Sequence, residues 1–218
     1  MSSQSAVDYM FTNSTIMTKV VNSKSAMKEL GLNEYATNKL IQNDEWRTAA
    51  LASSNAIAGL DESNPITIPT MTSNTAPSGT VFASSENSAW SQTALRVFDG
   101  NTSGDDYWDP AIGATYDNQY VGYSFTSAMW PYKLNVRVSS GKQNAYYIIE
   151  ATNNMNDTSS WIPISEEFTG GTYTFKNNSN SGTKYQHYRI RCTRTTGSTS
   201  TQSGGNNSVI HMLQIYGK

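Results

Sequence analysis

Residues 185–194, with the sequence YQHYRIRCTR, alternate between apolar and polar side chains. Tyr188, Ile190 and Cys192 fall on one side of an extended chain, and the residues between them are polar. Successive side chains of a β-strand point to opposite faces of a sheet, so this stretch predicts a strand with one buried face. Residues 132–139 show the same alternation, which predicts a second strand. The two segments indicate that the C-terminal part of the chain is built from strands.

Other segments of this part are rich in β-branched and aromatic residues and are separated by clusters of turn-forming residues. The predicted strands are 93–98, 119–126, 132–139, 145–152, 172–176, 185–194 and 207–216. Two shorter candidates are Thr67–Ile68 and Val81–Phe82. A series of about seven short strands is typical of a β-sandwich or jelly roll.

The N-terminal part of the chain has helical spacing instead. Within residues 12–60, apolar side chains recur at intervals of three and four residues. The candidate N-caps are Asn13 or Ser14, Asn33 and Asn43. The pair Leu30-Gly31 predicts a helix end with a glycine C-cap. We therefore predict three helices in this segment.

A weak internal repeat runs through these helices. The segment TIMTKV at 15–20 is echoed ten residues later by SAMKEL at 25–30, and more loosely by SNAIAGL at 54–60. At ~25 cal/mol per Å², such small apolar stripes bury too little area to be stable alone. They predict either packing on the C-terminal domain of the same chain or, as the favoured interpretation, association with another chain.

The boundary between the two parts lies in a segment punctuated by proline and glycine. A helix is not expected to cross Pro65. The predicted organisation is a helical segment at 1–60, a linker at 61–80 and a β-domain at 81–218.

The composition narrows the class of protein. Charged residues make up only 15% of the 218 residues, against about 25% in typical globular domains. The difference is made up by 29 Ser, 25 Thr and 21 Asn, and the chain also has 13 Tyr and 5 Trp. This composition is typical of an extracellular or virion β-protein.

Several classes of partner and location are not expected. The net charge is −2 and the 15 Lys and Arg are scattered, so nucleic-acid binding is not predicted. No apolar run approaches the ~18 residues of a membrane span, so membrane insertion is not predicted. Residues 1–5 lack the features of a signal peptide. Cys192 is the single cysteine, which excludes an internal disulfide. A phage particle, assembled in a host cytoplasm and then released, fits these features.

The β part resembles a known family. The segment ALRVFDGN at 94–101, followed by Tyr107-Trp108, is similar to the opening of discoidin (coagulation factor V/VIII type C) domains. Further similar segments follow in the family's order, at 120–125, 147–153 with Trp161, 188–191 and 213–217. The resemblance covers about residues 80–218. It implies a mainly β protein with a C-terminal galactose-binding-like β-sandwich (jelly roll), related to carbohydrate-binding module family 32, and an N-terminal α-helical segment.

A second resemblance lies upstream. Residues 69–79, PTMTSNTAPSG, look like the lead-in found before discoidin-like modules in phage structural proteins. The helical echoes at 15–30 and 53–60 are similar to repeats of phage tail and fibre proteins. This resemblance implies a virion protein of a fibre, a tail or a head decoration, anchored to other virion proteins by its helices and oligomeric. A host cell-surface glycan is the implied ligand. The alternative is a purely structural adaptor that uses the jelly roll for protein contacts.

Sugar sites need an aromatic face and a few fixed polar groups, and in the resembled family they lie in the loops at one end of the sandwich. The predicted ligand-binding residues are Trp90, Tyr116, Trp130, Asp106 and Asn118. Trp108 and Trp161 match core positions of the family, and we expect both to be buried.

The resemblance also implies a possible structural calcium ion. Family members hold it near the "FDGN" turn, which here contains Asp99 and Asn101, together with a glutamate of the last strand. Met212 stands at the position of that glutamate, or Gln214 does if the register shifts by two. A thioether is a poor ligand for calcium. The alternative is that Asp99 only caps its own turn.

No enzymatic motif is evident. The adjacent carboxylates Glu166-Glu167 do not by themselves provide the separation across a cleft that glycosidases need. Neither His187 nor His211 has a nucleophile motif beside it in the sequence. The prediction is a non-enzymatic protein.

Overall fold

The computed structural model describes residues 3–101, 103–104, 106–139, 145–177, 181–196 and 209–218. The helices of these ranges come first, as α1 (Gln4–Thr12), α2 (Ser14–Val21), α3 (Lys24–Leu32), α4 (Glu34–Gln42), α5 (Asp44–Ala52) and α6 (Ser54–Glu62). The strands follow, as β1 (Ile66–Thr67), β2 (Thr80–Ala83), β3 (Tyr120–Met129), β4 (Pro131–Ser139), β5 (Ala145–Thr152), β6 (Ile162–Pro163), β7 (Gly171–Lys176), β8 (Tyr185–Thr195) and β9 (Val209–Gly217).

The strands form two antiparallel sheets. One has the order β1-β9-β4-β7, and the other has the order β2-β3-β8-β5-β6. Their facing sides share one apolar core, to which Val136 of the first sheet and Ile149 and Ile190 of the second contribute. The alternation predicted in residues 185–194 is confirmed, since Tyr188, Ile190 and Cys192 are all buried. The chain is therefore mainly β, with a two-sheet sandwich after the helices.

One predicted strand is wrong. Residues 93–98 contain a 3-10 helix, Ala94–Val97, instead of a strand. Ala94 and Val97 are both buried, at the three-residue spacing of one helical face. The Glu86 carboxylate accepts a hydrogen bond from the Ala94 backbone N–H (2.8 Å) and so satisfies the start of this turn.

The helices form a regular ten-residue repeat. Its first residue is Ser or Asn in every copy, at Ser3, Asn13, Ser23, Asn33, Asn43 and Ser53. The side chain of each accepts a hydrogen bond from the backbone N–H three residues later and so caps the helix that follows. From Asn13 onward, the backbone N–H of the same residue donates to a carbonyl of the preceding helix. One residue thus ends one helix and begins the next at every joint except that between α2 and α3, where Asn22 is the C-cap and Ser23 is the N-cap.

This double capping corrects the prediction of three longer helices. A Ser or Asn joint interrupts the chain every ten residues without any proline or glycine. The predicted helix end at Gly31 is wrong, because Gly31 lies within α3. Gly31 is instead a point of close approach, and a Cβ there would meet the side chain of Ser63.

The six helices stack as two layers of three. We call α1–α3 the first layer and α4–α6 the second layer, and α4, α5 and α6 pack on α1, α2 and α3, respectively. The contact of α4 with α1 includes an ion pair between Lys39 and Asp8 (2.9 Å). The contact of α6 with α3 includes an ion pair between Lys24 and Glu62 (2.5 Å). Three repeats thus complete one turn of a short helical solenoid.

The second layer packs on the sandwich. Trp130 and Tyr132, at the β3–β4 connection, belong to the apolar core of the helices. The Tyr132 hydroxyl donates to the Asp61 carboxylate (3.0 Å), and the Lys133 ammonium group pairs with the same carboxylate (2.5 Å). The helical segment therefore packs on its own C-terminal domain mainly through the second layer, and the Lys218 ammonium group also donates to the Gly31 carbonyl oxygen of α3 in the first layer (3.2 Å). The predicted linker also takes part in this structure, because β1 pairs with β9.

Gly59 is a point of close approach between the two layers. A Cβ at this position would lie against the Lys24 carbonyl oxygen and 2.7 Å from the Cβ of Met27. We expect Gly59→Ala to lower the free energy of unfolding by about 1–3 kcal/mol, as overpacking does. Helix propensity alone would raise it by about 1 kcal/mol. The sign of the change in urea denaturation therefore tests the packing, and a stabilised variant would contradict it.

Candidate functional site

Trp90 is a large aromatic side chain held toward solvent. It ends a 3-10 turn, Ser88–Trp90, in the connection between β2 and β3, and 62% of its surface is exposed. The next residue, Ser91, is left-handed (φ 57°), which turns the chain back sharply. This geometry leaves one aromatic ring protruding from the loop.

Two buried amides fix the base of this loop. The Asn87 side-chain amide donates to the Gln92 Oε1 (2.8 Å), and the Gln92 amide donates to the Tyr107 hydroxyl (2.6 Å). The backbone N–H of Asn87 also donates to the Asp109 carbonyl oxygen (3.0 Å). Because both amides are buried and hydrogen-bonded, the turn that carries Trp90 is well anchored.

Arg96 lies beside the Trp90 turn. Its Nε donates to the Ser91 carbonyl oxygen (3.3 Å). Its Nη1 lies 3.3 Å from Asp106 Oδ1 and 3.7 Å from Asp99 Oδ2. The Arg96 side chain remains partly exposed. The Arg96 guanidinium group, which keeps free surface, therefore contacts the residue that directly follows Trp90.

Asp106 is placed beneath this arrangement and not at its surface. It is buried, so its carboxylate is not presented to solvent as the Trp90 ring is. Burial and the neighbouring charge of Asp99 raise the pKa of Asp106, and Arg96 acts in the opposite direction. The physical role of Asp106 in this geometry is to hold the Arg96 side chain.

Two of the predicted aromatic residues are not accessible. Tyr116 is 1% exposed, lies in the core of the sandwich, and donates from its hydroxyl to Asp109 Oδ1 (2.9 Å). Trp130 is 0% exposed because the second helical layer covers it, and its indole N–H donates to the Ser181 carbonyl oxygen (3.1 Å). Both residues lie between strands, as predicted, but other parts of the chain bury them.

Asn118 belongs to a different part of the surface. It is exposed and left-handed (φ 67°), and its Oδ1 accepts a hydrogen bond from Arg191 Nη1 (3.0 Å). Of the predicted ligand residues, Asp106 is therefore joined to the Trp90 turn through Arg96, and Tyr116 is joined to the base of that turn through Asp109. Arg96 was missed because the sequence was interpreted as a strand there. Its place within the ALRVFDGN motif, three residues before Asp99, was an available signal.

The other two tryptophans named from the sequence are buried as predicted. Trp108 donates from its indole N–H to the Ser85 carbonyl oxygen (2.9 Å). Trp161 lies over the guanidinium group of Arg189, which is 4.0 Å from the ring centre. Both serve packing in the sandwich.

The described residues at the FDGN turn do not fit a calcium site. Asp99 Oδ1 accepts the backbone N–H of Asn101 (2.9 Å), and Asn101 Oδ1 accepts that of Ser103 (3.0 Å), as in Asx turns. The positively charged Arg96 lies close to the second oxygen of Asp99. Met212, which lines a cavity at this turn together with Asn101, offers only a thioether. Thr102 lies outside the described residues.

A serine–histidine contact occurs on two strands whose sequences contain no nucleophile motif. Ser124 Oγ and His187 Nδ1 are 2.8 Å apart on neighbouring strands. Burial lowers the pKa of His187. In the part of the chain that the structure describes, no carboxylate forms a hydrogen bond with His187, so the third group of a catalytic triad is not present there.

The described residues contain neither a membrane-spanning helix nor a cluster of metal-ligand side chains. None of the described helices is both long and apolar enough to span a bilayer. Within the same ranges, no three His, Cys, Asp or Glu side chains cluster as metal ligands would.

Comparisons with known proteins found similarity among solved structures only. No protein-family model matches the chain, and no curated protein matches it. Chitosan-binding module 2 of a chitosanase/glucanase from Paenibacillus sp. IK-5, solved with chitotriose, is 17% identical, with a TM-score of 0.48 over 64% of this chain and 96% of that chain. The family 32 carbohydrate-binding module of NanJ from Clostridium perfringens, solved with galactose, is 20% identical, with a TM-score of 0.44 over 63% of this chain and 93% of that chain.

Proposed function

We propose that this chain is a virion structural protein whose β-sandwich attaches to host surface glycans through the Trp90 loop. The observation that carries the proposal is an exposed tryptophan on an anchored turn, with the partly exposed guanidinium group of Arg96 beside it. The virion assignment rests on the composition and on the resemblance of residues 69–79 to phage structural proteins.

The chemistry of the loop suits a sugar ring. The apolar face of a pyranose stacks on an aromatic ring, and its hydroxyl groups accept hydrogen bonds from fixed donors. Trp90 provides the ring, and Arg96 provides N–H donors whose position is set by Ser91 and Asp106. One aromatic ring gives weak binding, which many copies on a particle would strengthen through effective concentration.

The second candidate function is a structural adaptor without a glycan ligand. The burial of Tyr116 and Trp130 favours it, because only one of the three expected aromatic residues is left for a sugar. In an adaptor, Trp90 would contact another virion protein. The two functions differ in whether a glycan competes for the Trp90 surface.

A glycan array probed with the full-length chain on a multimerising tag tests the proposal. We expect the wild type to bind a defined group of glycans. The signal of Trp90→Ala should be at least about tenfold lower, because the variant lacks a central aromatic contact. The matched control is Ile112→Ala, an exposed apolar residue in another loop of the sandwich. Absence of binding by the folded wild type, or equal binding by Trp90→Ala, would favour the adaptor.

The same array with calcium and with a chelator tests the metal. Since the described donors at Asp99 and Asn101 do not fit calcium, we expect the binding signal to be unchanged by chelation. A loss of signal on chelation that added calcium restores would contradict this expectation.

A further inference from the structure

Equivalent positions of the ten-residue repeat differ in burial between the two layers. In the second layer, the fourth and eighth positions are buried, at Ala36, Trp46, Ala56, Leu40, Ala50 and Leu60. In the first layer, most of the same positions are exposed or half-buried, at Ala6, Ile16, Ala26, Met10 and Val20. These side chains are apolar in both layers, so the difference comes from what covers them.

The cover of the second layer is the first layer. The first layer has no such cover among the described residues, and we call its free side the outer face. Tyr9 and Leu32 on this face are 64% and 49% exposed. An open cavity of about 690 Å³ lies there, with Met10, Val20 and Leu32 in its wall. The outer face therefore presents the apolar surface on which, inside the chain, another layer would stack.

A head-to-tail stack of copies is not possible. It would need the side of the second layer that faces away from the first, and the sandwich covers that side. Trp130 and Tyr132 pack there, and the ammonium group of Lys176 donates to the Ala52 carbonyl oxygen at the end of α5 (3.2 Å). A second copy can therefore meet the outer face only with its own outer face, about a twofold axis.

The charges of the outer face are self-complementary for one such axis. Lys19 of α2 and Glu29 of α3 occupy the seventh position of their repeats, and neither forms an ion pair among the described residues. Lys39 occupies the seventh position of its repeat in the second layer, and its ammonium group pairs with Asp8 of the first layer. Lys19 and Glu29 are therefore placed to reach a layer stacked on the outer face.

The position of the axis decides which charges meet. A twofold axis through α1 lays α2 of one copy over α3 of the other, so that Lys19 faces Glu29 twice. An axis through α2 would bring the two Lys19 residues together, and an axis through α3 would bring the two Glu29 residues together. Only the first arrangement places opposite charges opposite each other.

We infer that the outer face is a homodimer interface, in which two copies stack first layer on first layer about a twofold axis through α1. The inference goes beyond the proposed function and does not depend on glycan binding. It places the two sandwiches at opposite ends of a four-layer helical body.

Sedimentation equilibrium of the full-length chain over a concentration series tests the inference. We expect the wild type to reach the mass of a dimer. Lys19→Glu and Glu29→Lys should each raise the dissociation constant of the dimer roughly tenfold or more, because each places like charges opposite each other. The double variant should restore it. Glu45→Lys, an exposed charge reversal in α5, is the matched control and should leave the dimer unchanged.

Other outcomes would overturn the inference. These are a monomer at all concentrations, a trimer or larger assembly, or a dimer that the single charge reversals do not affect. Val20→Asn, in the apolar part of the outer face, provides a second variant and should also dissociate the dimer. Circular dichroism confirms that each variant is folded. Trp90→Ala should leave the dimer intact, so a failure of this inference and a failure of glycan binding can be told apart.

Discussion

Trp130→Ala is expected to lower the free energy of unfolding by about 3–5 kcal/mol, the usual cost of removing a buried tryptophan. Trp130 is fully buried at the contact of the second helical layer with the sandwich. Its ring lies against Tyr132, with 6.1 Å between the ring centres, and its indole N–H donates to the Ser181 carbonyl oxygen. The substitution would leave a cavity between helices and sheet and an acceptor without its donor.

Urea denaturation followed by circular dichroism at 222 nm measures this loss. The matched control is Trp90→Ala, which removes the same side chain from an exposed loop and should change the stability by less than about 0.5 kcal/mol. Similar values for the two variants would mean that Trp130 does not join the helices to the sandwich.

Glu150→Ala is expected to lower the free energy of unfolding by a similar amount, about 3–5 kcal/mol, because it removes the buried carboxylate that pairs with two arginines. The Glu150 carboxylate lies 2.7 Å from Arg189 Nε and 2.6 Å from Arg191 Nη2. Glu150 and Arg189 are both buried, and Trp161 covers the guanidinium group of Arg189. The control is Glu167→Ala, whose ion pair with Arg194 is exposed and should be worth about 0–1 kcal/mol.

The contribution of Glu150 should depend on pH in a defined direction. Burial by itself would raise the pKa of Glu150, but hydrogen bonds from Arg191 and Arg189 outweigh burial and hold the pKa below its ordinary value of 4.5. A carboxyl whose pKa is lower in the folded state stabilises the fold above the unfolded pKa, and this stabilisation is lost as the pH falls through the folded pKa. The stability difference between the wild type and Glu150→Ala should therefore shrink below pH 4.5. A difference that grew on acidification would contradict the ion-pair account.

The strands could be predicted from local sequence because burial on one face imposes an alternation that each segment displays by itself. Tyr188, Ile190 and Cys192 are buried as that alternation predicts. The segment 93–98 failed because its apolar residues fit both a strand and a helical turn. The hydrogen bond from Ala94 to Glu86, eight residues away, is not visible in that pattern.

The helical layers were harder to predict because their joints are made by single polar residues. A Ser or Asn within an apolar pattern is not by itself a helix end, and only its recurrence every ten residues makes it one. The Ser or Asn recurs in all six copies, but the similarity of the copies is clear only between residues 15–20 and 25–30. The fifth position is Met in those two copies and Val, Thr, Arg or Ile in the others.

The candidate site was only partly predictable. Trp90 could be found because a tryptophan within a run of turn-forming residues tends to be exposed. Tyr116 and Trp130 looked the same, but contacts distant in the sequence bury them: Tyr116 with Asp109, and Trp130 with the second layer. The place of Arg96 beside Trp90 depends on the fold of the turn, which local spacing does not reveal.

The joints between the helices determine how the length of the helical segment can change. Three copies of the repeat close one turn, and each joint consists of one or two residues that cap both of its helices. Insertion of one or two copies would rotate the sandwich by one or two thirds of a turn about the stacking axis. Insertion of three copies would shift the sandwich along the stacking axis by one helix diameter, about 10 Å, and would leave its orientation about that axis unchanged. The helical segment is thus a spacer of adjustable height, in which only whole turns preserve the direction that the Trp90 loop faces.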